Sequence, residues 1–226
     1  MPRAPRIDKA DLIYHIINRS NDRRQIFRTP KDYLAFENIV QEAQERVDIH
    51  IYSYAVMPNH WHFAVSPKND GDLGIFARWL TLTHTQRHHA FTKTIGGGHL
   101  YQGRYKSFLV AADEYFLTLC RYIERNALRA KLVSRAEDWQ WSSLWRRTYG
   151  DEKQRKLLAE WPVSEPSNYL DWVNEEENQI TLDRIRNTIR RGSPFGKEEW
   201  VNTMIKKFGL ESTIKPRGRP TIKKGT

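Results

Sequence analysis

The sequence lacks several features that would assign it to a special class of protein. Its 226 residues include a single cysteine, Cys120, which excludes a disulfide scaffold and a cysteine-based zinc site within the chain. No run of about 18 apolar residues occurs, so we expect no membrane-spanning helix. The first residues, Met-Pro-Arg-Ala-Pro-Arg, are not followed by an apolar stretch, and we expect no secretory signal. A G-x-x-x-x-G-K-[ST] phosphate loop is also lacking, so we expect no nucleotide cofactor.

Basic and aromatic side chains, in contrast, are abundant. Lys and Arg number 37 against 27 Asp and Glu, giving a formal net charge of +10, and aromatic residues make up 12% of the chain. Burial of so many large side chains can offset the entropy lost on ordering, which excludes a chain that is disordered throughout. Nucleic acid is the commonest partner of a basic protein of this kind. We therefore expect an intracellular protein that binds nucleic acid.

The charge is distributed unevenly along the chain. Residues 1–147 carry 22 basic and 15 acidic side chains, residues 148–180 carry 3 and 8, and residues 181–226 carry 12 and 4. The corresponding net charges of +7, −5 and +8 predict a basic domain, an acidic spacer and a basic C-terminal extension with its own contact surface. Deleting residues 181–226 should then weaken nucleic-acid binding and flatten its salt dependence more than it alters any chemistry. The extension can instead be a solubilising end.

The periodicity of apolar residues predicts an α+β domain. Residues 11–19, 49–56, 60–66 and 107–111 are rich in β-branched and aromatic residues, which is typical of strands. Helical spacing predicts helices over residues 31–47 and 73–94, and a third helix that is capped by Asp113 and reaches Ala130. This order of elements is that of a ferredoxin-like split βαβ fold with an antiparallel sheet. Two further helices, over residues 182–191 and 197–208, are predicted to share a small core in the extension.

The third predicted strand carries the most informative tripeptide, His60-Trp61-His62. Because side chains alternate along a strand, both imidazoles lie on one face, while Trp61 and Phe63 lie on the core face. The two histidines are then about 7 Å apart at their Cα atoms, and they can converge on one divalent cation. The alternative is a pair of polar residues on a solvated strand face.

The third predicted helix adds two groups beside its apolar stripe. Tyr122 and Asn126 are four residues apart and therefore share a face. If that face covers the histidine strand, a metal held by His60, His62 and Asn126 can polarise a phosphodiester, and Tyr122 can attack phosphorus. Tyr122 can instead be an ordinary half-buried helix residue. Tyr115, seven residues earlier, is a competing nucleophile.

Several basic side chains near these elements are candidates for DNA binding. Tyr105 lies between two cations just before the fourth strand and can stack on a base while its neighbours pair with phosphates. Two arginines of the extension, in a Pro-Arg-Gly-Arg-Pro sequence, can enter a minor groove. Each of these residues is also compatible with an ordinary surface position. The candidates are Arg19, Arg104, Tyr105, Lys106, Arg125, Arg129, Arg217 and Arg219.

Seven stretches that run through nearly the whole chain form a recognisable pattern. They are HIINR at 15–19, MPNHWHF at 57–63, LYQGRYKS at 100–107, YIERNALRA at 122–130, WQWSS at 139–143, GSPFGKEEW at 192–200 and PRGRP at 216–220. In these stretches the chain resembles the REP-associated tyrosine transposases of the single-tyrosine HUH superfamily. The resemblance implies an HUH nuclease fold, with His60 and His62 as the HUH pair, Tyr122 as the nucleophile and Asn126 as the third metal ligand.

One departure from the family pattern concerns the third helix. Where the family usually has Asn-Pro-Val-Arg-Ala, this chain has Asn-Ala-Leu-Arg-Ala at residues 126–130. Because a proline would block the helical hydrogen bond and clash with the preceding turn, its absence predicts that the helix continues past Asn126.

The resemblance also implies a function. It is that of a metal-dependent endonuclease and strand transferase, a transposase, which cleaves and rejoins single-stranded DNA beside a REP-type hairpin through a 5′-phosphotyrosine. Mg²⁺ or Mn²⁺ is the implied cofactor, a monomer using its own tyrosine is favoured, and we expect a cytoplasmic, nucleoid-associated bacterial protein. Two other classes stay open, namely a non-catalytic DNA-binding or regulatory protein and a relaxase or replication-initiator nuclease. Binding alone does not require all four site groups, and relaxases usually have larger chains.

Overall fold

A computed structural model of the chain describes residues 6–215. Its strands are β1 (Ile13–Arg19), β2 (Ile49–Met57), β3 (His60–Pro67) and β4 (Lys106–Val110). Its α-helices are α1 (Pro30–Gln44), α2 (Asp72–Thr92), α3 (Glu114–Glu124), α4 (Asn126–Arg129), α5 (Ser143–Tyr149), α6 (Glu152–Arg155), α7 (Tyr169–Asn174), α8 (Gln179–Arg191) and α9 (Glu198–Phe208). None of the helices in this described part is long and apolar enough to cross a membrane.

The four strands form one antiparallel sheet in the order β2-β3-β1-β4. Helix α1 connects β1 to β2, and β3 lies between these two strands in the sheet. This order is the split βαβ arrangement. The α+β, ferredoxin-like prediction is therefore confirmed. The strand bounds differ from the predicted ones by two residues at most, because period-2 alternation marks a strand's interior more clearly than its ends.

Helices α1 and α2 cover one face of the sheet. Thr29 and Pro30 start α1, where the Asp32 carboxylate accepts hydrogen bonds from the backbone N–H groups of Arg28 and Thr29. The apolar side of these helices packs on the alternate strand residues that point towards it. The largest fully buried side chains of this layer are Tyr14, Phe27, Phe36, Tyr54, Trp61, Phe63 and Phe76.

Helix α3 covers the opposite face. Asp113 caps it by accepting a hydrogen bond from the backbone of Tyr115, and the buried stripe of the helix packs on small strand residues such as Ala55 and Ala64. Arg125 keeps a right-handed helical conformation, and the N–H of Ala130 bonds to the carbonyl of Asn126 at 3.0 Å. The chain therefore continues helically past Asn126 as α4, as predicted from the missing proline.

The two extension helices dock on the sheet. Between them, Phe195 extends the β4 edge, because its N–H bonds to Leu109 O and its carbonyl accepts from Ala111 N. Ile185 of α8 is buried in the α3 layer, whereas Met204 of α9 is buried in the α1–α2 layer. The predicted small core shared by these helices is therefore wrong, since each helix uses its apolar side against the main body. The boundaries at residues 147 and 180 stay predictions from charge alone.

Candidate active site

The histidine pair lies on the sheet face that α3 covers. His60 and His62 have ring centroids 5.0 Å apart, and Trp61 and Phe63 point into the opposite core layer, as alternation predicts. The face is only partly open to water, because His62 is 1% exposed while His60 is partly exposed. Asn59 Oδ1 lies 2.6 Å from His60 Nδ1, and His15 Nε2 lies 2.8 Å from His62 Nδ1. Because the His62 ring is buried, its contact with His15 fixes the orientation of that ring.

Burial keeps both rings neutral. It lowers the pKa of His60 to about 3, with further lowering by the nearby charges of Arg19 and Arg129. It also places the pKa of His62 well below the ordinary value, helped by the other histidines and the same two arginines. A neutral imidazole has a lone pair on one nitrogen and can bind a metal without first losing a proton. The pair is therefore ready to act as ligands at neutral pH.

Tyr122 on α3 is the tyrosine that meets this pair. Its ring lies 5.9 Å from the His62 ring in an edge-to-face arrangement, and it is 7% exposed. Burial raises its pKa, against the nearby charges of Arg129 and Arg186. The competing Tyr115 lies elsewhere: its hydroxyl is 3.1 Å from Arg184, and its ring packs against Phe195. Only Tyr122 of the two can reach a group bound at the histidines.

Asn126 joins the site through Arg129. The guanidinium of Arg129 donates to Asn126 Oδ1 at 2.7 Å and lies 4.4 Å from the centre of the Tyr122 ring. The amide of Asn126 donates in turn to the backbone carbonyl of Tyr122 at 3.3 Å. The Asn126 carbonyl oxygen has a second lone pair that can still accept a ligand. The phenol of Tyr122 thus meets the two neutral imidazoles on the α3 face, and Asn126 lies one helical turn after it, hydrogen-bonded to its backbone carbonyl.

Comparison with known proteins decides the family. Residues 8–126, more than half of the chain, match the family of IS200-like transposases. The chain belongs to that family. The matched segment ends at Asn126 and includes both histidines and Tyr122, so the predicted membership in the single-tyrosine HUH superfamily is confirmed, and with it the prediction of an enzyme of the transposase class.

The fold of this transposase is also similar to that of solved structures. A REP-associated tyrosine transposase bound to a REP hairpin matches it with a TM-score of 0.54 and 17% identity, over 79% of this chain and 100% of that chain. A protein described as a transposase of Deinococcus radiodurans matches with a TM-score of 0.39 and 18% identity, over 55% of this chain and 95% of that chain. No curated protein sequence matches significantly. The first similarity supports the predicted fold.

The acidic spacer supplies a residue of the transposase site that the sequence did not reveal. Glu177 lies 2.6 Å from Arg129 Nη1 and 3.3 Å from Arg125 Nε, with its side chain 8% exposed. Both arginines, predicted to bind DNA, are therefore turned towards a carboxylate, and a phosphate would have to compete with it. Their DNA-binding role stays a prediction. A run of three glutamates gives no local signal that singles out Glu177.

His15 is a second residue to which sequence reasoning gave no role. It is fully buried on β1, where its ring lies 5.0 Å from His62 and 4.8 Å from Phe108. Burial lowers the pKa of His15 to about 3, so this imidazole is neutral as well. Alternation along β1 places His15 on the α3 face, but only the antiparallel pairing of β1 with β3 brings it to His62.

The remaining predicted DNA-binding residues fall into three groups. Arg19, Arg104 and Lys106 line a groove of about 540 Å³ at the end of β1. Tyr105 lines it too, but its ring is 7% exposed and the Arg6 guanidinium lies 4.1 Å from its centre. The predicted stacking of a base on Tyr105 does not fit this geometry, because the ring belongs to the core layer. Arg217 and Arg219 lie outside the described residues.

The donor set of the transposase fits a divalent cation. His60 and His62 each engage Nδ1 with a partner, and no hydrogen bond to either Nε2 occurs in the part of the chain that the structure describes. Within the same described residues, no group of three or more His, Cys, Asp or Glu can hold a metal. The Asn126 side chain adds an amide oxygen, a type of donor that divalent cations accept.

Proposed function

We propose that this transposase cleaves and rejoins single-stranded DNA beside a hairpin, with Tyr122 as the nucleophile. The observation that carries the proposal is the edge-to-face contact of the Tyr122 ring with His62, at 5.9 Å, with Asn126 buried one helical turn further along the chain. A tyrosine that served packing alone would not need two neutral imidazoles and an amide oxygen beside it. The same contact joins residues of one chain, which favours a monomer acting with its own tyrosine.

The reaction transfers a phosphoryl group to the phenol. The oxygen of Tyr122 bonds to phosphorus, the bond from phosphorus to the 3′-oxygen breaks, and a 5′-phosphotyrosine results. The phenol loses a proton and the departing 3′-oxygen gains one, so the step is neutral overall. Burial raises the pKa of Tyr122, while the positive charge of Arg129 opposes this rise and stabilises the phenolate. A 3′-hydroxyl reverses the step on rejoining, with no need for a nucleotide cofactor.

His60, His62 and Asn126 would hold Mg²⁺ or Mn²⁺. The two neutral imidazoles and the free lone pair of the Asn126 carbonyl support this assignment. These residues would place a cation where it would neutralise charge on the scissile phosphate. In the resting chain, Asn59 and His15 hold the two imidazole rings in place, so little reordering is needed when the ion binds.

The proposed DNA partner is a single strand that carries a hairpin. The REP-associated transposase of similar fold is bound to a REP hairpin, and we extend this ligand class to the present chain. The groove of about 540 Å³ supports the extension, because Arg19, Arg104 and Lys106 line it and Arg19 is close enough to influence the pKa of both His60 and Tyr122. We infer that this groove binds the phosphates next to the cleavage point.

The test is the formation of a covalent adduct. Labelled single-stranded DNA with a hairpin is incubated with the transposase and Mg²⁺ or Mn²⁺, and denaturant-resistant protein–DNA products are separated by electrophoresis. The native chain should form the adduct, Tyr122→Phe should abolish it, and the matched control Tyr115→Phe should retain it. His60→Ala and Asn126→Ala should remove its dependence on metal together with most of its yield.

Two outcomes would contradict the proposal. An undiminished adduct with Tyr122→Phe would exclude this residue as the nucleophile. If the native chain binds the hairpin DNA but forms no adduct with any of several hairpin strands, the non-catalytic binding protein becomes the better description.

A further inference from the structure

The His15–His62 contact joins two buried imidazoles of different roles. His62 Nδ1 and His15 Nε2 are 2.8 Å apart, and both rings are almost completely shielded from water. The other nitrogen of His15, Nδ1, has no hydrogen-bond partner among the residues that the structure describes. Phe108 packs against the His15 ring at 4.8 Å, so part of the surroundings of this ring is apolar.

An unpartnered buried nitrogen is a cost to folding that an apolar side chain would avoid. Packing therefore does not explain why β1 has a histidine at this position. What a histidine offers is one acceptor, Nε2, directed at the ring of His62. When His62 Nδ1–H donates to that acceptor, the proton lies on Nδ1, and the lone pair of His62 lies on Nε2, where it can bind a metal.

We propose that His15 is a positioning residue, which holds His62 in the tautomer and orientation that bind the divalent cation. The inference rests on the proposed metal site at His60, His62 and Asn126, but not on the identity of the nucleophile. His15 does not itself contact the ion or the DNA. It acts in the way that a carboxylate or carbonyl partner orients many metal-binding histidines, except that here the acceptor is a second neutral imidazole.

Metal affinity measures this role directly. Mn²⁺ is titrated into the DNA-free protein, and the free ion is followed by electron paramagnetic resonance. His15→Phe keeps the bulk but removes the acceptor, and it should weaken Mn²⁺ binding about 10- to 100-fold. His15→Gln supplies an amide oxygen as a substitute acceptor, and it should recover most of the affinity. Thermal melting of the metal-free proteins should show that His15→Phe and His15→Gln both unfold cooperatively, so a loss of Mn²⁺ affinity does not come from loss of the fold.

The matched control is His84, a buried histidine that bonds to Tyr101 on the other side of the sheet. His84→Phe should leave Mn²⁺ affinity unchanged. Tyr122→Phe should also bind Mn²⁺ normally, so a failure of the proposed strand cleavage and a failure of this inference give different results.

Three outcomes would overturn the inference. These are an equal Mn²⁺ affinity of the His15→Phe and native chains, an equal loss in His15→Gln and His15→Phe, and a native chain that does not bind Mn²⁺ at all.

Discussion

Two ion pairs of the transposase show how the burial of a charged residue determines its contribution to stability. Arg146 and Glu37 are 3.0 Å apart with side chains only 5% and 8% exposed, and Glu37 also accepts a hydrogen bond from Tyr54 at 2.7 Å. Arg87 and Glu42 form a two-bond pair of comparable length, but their side chains are 52% and 34% exposed. Water solvates the second pair and barely reaches the first.

We predict that Glu37→Gln destabilises the fold far more than Glu42→Gln does. Removing Glu37 leaves the guanidinium of Arg146 buried without its counter-charge, which costs about 3–5 kcal/mol. Removing Glu42 breaks a solvent-screened pair that contributes less than about 1 kcal/mol. Urea denaturation of both variants beside the native chain measures the two free energies of unfolding. Equal losses would show that burial does not govern these pairs.

At the scale of elements, the start of helix α1 depends on one carboxylate. Burial alone would raise the pKa of Asp32, but the hydrogen bonds from Arg28 and Thr29 outweigh it, and the pKa lies below the ordinary value. A carboxyl group whose pKa is lowered on folding stabilises the fold above its ordinary pKa, and this stabilisation is lost as the pH falls through the lowered pKa.

Asp32→Asn should therefore reduce stability in a pH-dependent manner. At pH 7 we expect a loss of about 0.5–1 kcal/mol, the lower part of the range for helix caps, because solvent screens this partly exposed group. The difference from the native chain should shrink as the pH falls below about 4. Chemical denaturation at several pH values is the measurement, with the exposed Glu160→Gln as control. A difference that grows towards acid pH would contradict the assignment.

Also at the scale of elements, the acidic spacer holds helix α3, which carries Tyr122, the proposed nucleophile. Glu177 pairs with Arg125 and Arg129, while the Arg121 guanidinium donates to backbone carbonyls of Glu175 and Glu176. Through Arg129, this contact reaches both Tyr122 and Asn126.

Glu177→Gln should strengthen the binding of single-stranded DNA. It frees two arginines beside the site, so affinity at low salt should rise severalfold, and the slope of log K against log salt should steepen by about 0.7 for each new phosphate contact. Fluorescence anisotropy with labelled hairpin strands over a range of salt concentrations measures both quantities. Glu176→Gln is the matched control, because it removes the same charge from an exposed neighbour. Equal effects of the two variants would indicate net charge alone.

At the scale of the whole molecule, the C-terminal extension has two parts. Helices α8 and α9 and the segment between them bury Leu182, Ile185, Phe195 and Met204 against the sheet body, and these four side chains contribute about 6–12 kcal/mol. That sum is comparable to the whole stability of a domain. Residues 216–226, beyond the described part, carry four basic side chains and no acidic one.

Deletion of residues 216–226 should weaken DNA binding and flatten the salt slope by about 0.7 for each phosphate that the shortened chain no longer binds. Deletion of residues 181–226, in contrast, should lower the melting temperature markedly or prevent folding, because it exposes both core layers. The charge pattern alone suggested that the larger deletion would weaken DNA binding more than it alters the chemistry. Because that deletion also disrupts the fold, it cannot separate the two effects. Calorimetry and salt-dependent anisotropy check both expectations, and an unchanged slope in the shorter deletion would show that the tail does not bind DNA.

The order of the elements and the face on which each site residue lies follow from local sequence patterns. Alternation placed His60 and His62 opposite Trp61, and helical spacing placed Tyr122 with Asn126, because both patterns depend only on neighbours along one strand or helix. The missing proline likewise predicted the helical turn that follows Asn126. The family resemblance then selected these four residues from among the others.

Which distant side chains contact these four residues depends on the tertiary structure. His15 is 47 residues from His62 in sequence, and Glu177 is 48 residues from Arg129. The prediction that a base stacks on Tyr105 failed for the same reason. Arg6, which covers the Tyr105 ring, precedes β1 and is therefore distant from Tyr105 in the sequence. Contacts of this kind depend on strand pairing and on how the helices dock against the sheet. Periodicity within a single element contains no information about either.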